Sequence, residues 1–77
     1  MRHDIVDVLV HIDENLEPVR MKEVEDCIST EKGVVSACGR DDRPHLVVVT
    51  YDPAMTDSST ILHKVEQQGY HAELIGM

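Results

Sequence analysis

The chain has 77 residues, with 15 Asp and Glu against 7 Lys and Arg, for a formal net charge of −8. That balance excludes phosphate backbones and anionic lipid surfaces as partners and favours cations or basic protein patches. Two Tyr, no Trp and no Phe leave a core of Val, Ile, Leu, Ala and Met and no platform for stacking bases, so neither nucleic acid nor a membrane is expected as a partner.

The length predicts one small domain over 1–77, burying about 60% of the surface that the unfolded chain exposes. Ile5 to Ile12 alternates, with Val6, Val8, Val10 and Ile12 on one face and Asp7, Leu9 and His11 on the other, which reads as a half-buried strand. Asp13-Glu14-Asn15-Leu16 breaks the pattern and leads into a helix. Pro18 suits the first helical turn, and Glu14 and Glu17 suit the positive end of its dipole. Met21, Val24 and Ile28, with Cys27 beside them, form a buried stripe; Lys32 is expected in the last turn and Gly33 just past it. Val34 to Cys38 reads as a short edge strand, and Gly39-Arg40-Asp41-Asp42-Arg43-Pro44 as a charged hairpin loop in which the acids pair with the flanking arginines.

The longest β-branched run, His45 to Thr50, continues to Tyr51 and is closed by Asp52-Pro53; Val47, Val49 and Tyr51 face inward. Asp57 or Ser58 caps a second helix with Ile61, Leu62 and Val65 buried, and Gly69 ends it. His71 to Ile75 makes a fourth strand with Ala72 and Leu74 inward. Strands and helices in the order βαββαβ, joined by right-handed crossovers, predict an α+β ferredoxin-like sandwich: a four-stranded antiparallel sheet with two helices on one face.

Val24-Glu25, Gly33-Val34 followed by Ser36-Ala37, Val47-x-Val49-x-Tyr51-Asp52-Pro53 and Gly69-Tyr70-His71-Ala72-Glu73-Leu74 occur in that order. On these residues, from about Val8 to Leu74, the chain resembles the heavy-metal-associated domain, the family of small copper chaperones and of the N-terminal domains of metal-pumping ATPases. The resemblance implies metal binding or metal-ion trafficking and no enzymatic activity. It also implies a Met-x-Cys-x-x-Cys loop at the start of the first helix, whose two thiolates grip a soft ion. Counting back from Val24-Glu25, those positions hold Asn15, Glu17 and Arg20, so the motif is degenerate and both cysteines are missing. Tyr70 matches the Gly-Tyr residue that packs near this loop. Glu17 and Arg20, three apart, are expected to pair for up to about 0.5 kcal/mol and to fill the place of the ion.

Other donors offer a non-standard site. Strand phase puts His11 and His71 on the same uncovered sheet face, on neighbouring strands, where two imidazoles hold zinc or copper. Cys38 joins that face or its edge if Ala37 points inward. His3 behind a free amino group makes a square-planar nitrogen set for copper or nickel. Cys27 reads as a buried structural thiol, and His45 and His63 show no such company. Leu9, Leu46 and Val48 on the open face point to a protein partner or a homodimer. Two cysteines without a disulfide framework, and an N-terminus without an apolar leader, predict a cytoplasmic protein with reduced thiols. No glycine-rich phosphate loop, nucleophile triad or carboxylate pair supports catalysis. Three readings follow: a metal-binding or metal-trafficking protein with a non-standard site, a metal-free docking module of the same fold, and an amino-acid-sensing regulatory domain. The resemblance puts the first ahead.

Overall fold

The computed structural model describes residues 4–40 and 43–75. The elements run β1 (Val6–Ile12), α1 (Pro18–Ser29), β2 (Val34–Arg40), β3 (Arg43–Tyr51), α2 (Ser58–Glu66) and β4 (Ala72–Ile75). The strands form one antiparallel sheet in the order β2-β3-β1-β4, so the long apolar run of β3 is central and β2 is an edge. This is the βαββαβ ferredoxin-like arrangement.

Alternation decides which face is covered. Val8, Val10 and Ile12 of β1 and Val47, Val49 and Tyr51 of β3 are buried, and they share one core with Val24 and Ile28 of α1 and Ile61 and Val65 of α2. Both helices therefore lie on the same face of the sheet. Eight of these side chains, all Ile or Val, are fully enclosed, each worth roughly 1.5–3 kcal/mol of apolar transfer. Leu16, Met21, Leu62, Tyr70, Ala72 and Leu74 close the rim.

Local chemistry moves some boundaries from their expected places. Helix α1 stops at Ser29, three residues before Lys32, because the Thr30 hydroxyl donates to the Cys27 carbonyl at 2.6 Å and its N–H turns to the same group. Gly33 then takes φ +101°, a left-handed turn that a side chain resists, and a Cβ there would sit 2.8 Å from Met55 Cβ. The expected charged loop is mostly strand: β2 runs on to Arg40 and β3 begins at Arg43, because antiparallel pairing reaches Gly39↔Val47 and resumes, after an irregularity in register, at Arg40↔Arg43. The expected pairing of Asp41 and Asp42 lies outside the described residues, as does His3. At the far end of β3, Asp52 is buried; its N–H donates to Gly33 O at 2.8 Å, and its Oδ1 accepts from Ala54 N at 2.9 Å, an Asx turn made by the Asp-Pro pair. Asp57 caps α2 by accepting from Thr60 N at 2.8 Å, which holds its carboxyl below the usual range.

Candidate functional site

The loop between β1 and α1 is where the resembled family places its thiolates. Here Asn15 is exposed, and Glu17 is the extended N-cap residue of α1, making no side-chain cap. Arg20 does not pair with Glu17: its guanidinium lies 3.8 Å from Glu23, one helical turn onward. Glu17 precedes the helix and only Arg20 and Glu23 share its i,i+3 geometry, so the expected Glu17–Arg20 pair gives way. Cys27 is half-buried on α1 and Cys38 exposed on β2, both free thiols away from the loop. A soft Cu(I) ion needs sulfur donors, and this loop supplies none. The loop residues do not fit that ion.

The loop is instead tied to the start of β4. Glu14 accepts from His71 N at 2.9 Å and from its Nδ1–H at 2.7 Å, while Asp13 N donates to His71 O at 2.8 Å. The His71 side chain holds the Glu14 carboxyl below its usual range, and Glu14 in turn holds the imidazole above its own. Tyr70, just before it, is half-buried and packs against the core.

These contacts break up the expected His11–His71–Cys38 grouping. His71 precedes β4 and its ring is taken by Glu14; the residue paired with His11 across β1 and β4 is Glu73. Cys38 lies on the open face opposite Val48, with β3 between it and β1, about 10 Å away at ordinary strand spacing. Around His11 a different set converges. A ligand atom from each of His11, Asp13 and Glu73 lies within 4.8 Å of the other two. His11 Nδ1 is screened from solvent and has Asp13 Oδ1 at 3.3 Å, without the geometry of a hydrogen bond. The His11 ring stacks on His45 at 5.6 Å and 22°. His45 is fixed in turn by its Nδ1–H, which donates to Ile12 O at 2.8 Å.

Asp13 and Glu73 are not among the donors expected from the sequence, although a signal exists, and the expectation that His45 lacks such company gives way to its stack on His11. Asp13 follows His11 by two and shares its face, and the β1–β4 register selects residue 73 rather than 71. Beside the cluster, His11, Arg43, His45, Leu46 and Ile75 line an open pocket of about 280 Å³. Leu9 and Val48 sit opposite each other on the same face, half-buried, with Cys38 beyond Val48 and Ile75 beyond Leu9, in one row across all four strands.

No family model matches the chain, and no curated protein matches it. Solved structures do. A copper-binding domain from HMA7, a P-type ATPase, superposes with a TM-score of 0.83 at 20% identity, covering 91% of this chain and 93% of that one. Oxidized MerP from Ralstonia metallidurans CH34 gives 0.82 at 20% identity, over 92% of this chain and 97% of that one. The metallochaperone CopZ gives 0.80 at 22% identity, over 88% of this chain and all (100%) of that one.

The fold is that of the heavy-metal-associated domain.

At these identities the likeness is one of backbone. Among the described residues no helix is long and apolar enough to cross a membrane.

Proposed function

We propose that this chain is a small metal-binding protein of the heavy-metal-associated fold, acting in metal-ion binding or trafficking through nitrogen and oxygen donors at the loop end of its sheet. The convergence of His11, Asp13 and Glu73 beside a loop without thiolates carries this reading. The likeness to a copper-binding domain and to a metallochaperone supports it. The role is binding rather than catalysis, with zinc and copper as the ions to test. Two free cysteines suit the cytoplasm, where thiols stay reduced. The test is a titration of reduced, untagged protein with Cu(I), Cu(II) and Zn(II), followed by amide chemical shifts. Saturable binding of any one ion at about micromolar Kd or tighter supports the reading. Flat titrations with all three overturn it.

One observation favours a second reading. The Glu14–His71 contact ties the loop to the start of β4 through protein groups, and Leu9, Leu46 and Val48 leave half-buried apolar side chains on the open face. A metal-free docking module, meeting a protein partner or a second copy through that face, uses both features. Flat titrations together with a concentration-dependent sedimentation coefficient would favour this second reading.

A further inference from the structure

Resting on the metal-binding reading above, the structure assigns the His11–Asp13–Glu73 cluster to a divalent ion of the Zn(II) class and against Cu(I). The donor set comes first: one imidazole nitrogen and two carboxylates match borderline and harder divalent ions, whereas Cu(I) is selected by thiolate and thioether sulfur. Cys38, an exposed thiol of the same sheet face, is separated from β1 by the whole of β3 and adds no sulfur to the set.

Charge agrees with the donor chemistry. Two carboxylates converge on the imidazole, and the positive group lining the adjoining pocket, Arg43, offsets only one of them. The imidazole itself supplies an independent sign. Its Nδ1 is buried from water, lacks a hydrogen-bond partner and has a carboxylate oxygen 3.3 Å away at the wrong angle to accept from it. Unsatisfied buried nitrogens are uncommon, and a cation held between this nitrogen and the carboxylates would satisfy it.

Rigidity is divided in the way a binding site requires. His11 sits in an inner strand, paired with Leu46 on one side and Glu73 on the other, and its ring is stacked on an anchored His45. Asp13 and Glu73 are exposed. Donors about 2.0–2.1 Å from a tetrahedral Zn(II) lie about 3.4 Å apart. Closing the present spread of up to 4.8 Å to that distance requires the two carboxylates to move toward the histidine. Three protein ligands leave a fourth position open for water or for a donor on a recipient protein.

Zn(II) and Co(II) are the probes, each added to the full reduced chain, with Cu(I) added separately under a competing chelator. One equivalent of Zn(II) is expected to shift amides at residues 11–13 and 73, and Co(II) to give visible d–d absorption. Glu73→Gln, an exposed isosteric change, should weaken Zn(II) by about tenfold or more, as should His11→Gln, while Cys38→Ser binds as the native chain does. The amide spectrum of Glu73→Gln verifies that the fold is intact, so the test stands if His11→Gln misfolds. Unchanged Zn(II) affinity in Glu73→Gln would overturn the site, and shifts centred on Cys38 or the N-terminus would overturn both the site and its nitrogen–oxygen donor set, leaving metal binding itself standing. Cu(I) bound more tightly than Zn(II) would overturn the ion class alone. Failure of every ion to bind would remove both.

Discussion

Glu14 and His71, 57 residues apart in sequence, are joined at two points: one carboxylate oxygen accepts from the His71 backbone N–H at 2.9 Å and the other from its Nδ1–H at 2.7 Å. With the Asp13 N–H donating to His71 O, the loop after β1 is bound to the start of β4 by three hydrogen bonds.

That contact titrates. The His71 imidazole is raised, first by the Glu14 hydrogen bond and its charge and then by Asp13 and Glu66, so its contribution is complete below the ordinary imidazole value and fades as pH rises through the raised one. Glu14 is lowered, first by the hydrogen bonds from His71, so its contribution is complete above the ordinary carboxylate value and fades as pH falls through the lowered one. Protection of the His71 amide is therefore expected to be greatest between roughly pH 4.3 and 6.5 and to decline on both sides. Glu14→Gln should flatten the profile. A flat profile in the native chain would contradict the contact.

Arg20 lies on the exposed face of α1 and pairs with Glu23 rather than with the loop. Arg20→Ala should cost no more than about 0.5 kcal/mol of stability and leave amide exchange between residues 14 and 17 unchanged. Loosening of that loop in the variant would restore Arg20 to the role of a stand-in for the ion.

Two glycines with the same backbone sign separate strain from crowding. Gly33 and Gly69 have φ of +101° and +95°, but an added Cβ meets Met55 and Thr56 at Gly33 and nothing within 4 Å at Gly69. Gly69→Ala should cost about 1–2 kcal/mol, the left-handed penalty alone. Gly33→Ala should cost a further 1–3 kcal/mol for the clash. Urea unfolding of both variants checks the order, and equal losses would refute it.

The packing of α1 on the sheet can be tested in the same way. Ile28 is fully enclosed in the core, whereas Val19 on the same helix is 70% exposed. Ile28→Ala should lose about 2–5 kcal/mol and Val19→Ala within about 0.5 kcal/mol. Similar midpoints for the two variants would mean that α1 is rotated from the face described.

The fold was legible because each signal was local and repeated. Period-two alternation in β1 and β3 and three-and-four spacing around Val24, Ile28, Ile61 and Val65 all select the same buried side. Element ends were less legible, since a single Thr30 hydroxyl outcompetes Lys32 and Gly33 for the end of α1. The site depends on register. His11 and an uncovered face could be read from alternation, but His71 and Glu73 share that face, and only the β1–β4 register, which a shift of two residues would change without changing the face, puts Glu73 opposite His11. The reading from strand phase began β4 at His71, but Glu14 captures that residue and the strand starts at Ala72. Asp13 lies in the polar break after β1, and its spacing of two from His11 is the signal that brings the pair together.

The most direct measurement is an anomalous difference map at the zinc edge from crystals of the reduced protein soaked in Zn(II). The account predicts one strong peak about 2.0–2.2 Å from an imidazole nitrogen of His11 and from oxygens of Asp13 and Glu73. A peak in the loop at Asn15 and Glu17, a peak on Cys38, or no peak at full soaking concentration would contradict it.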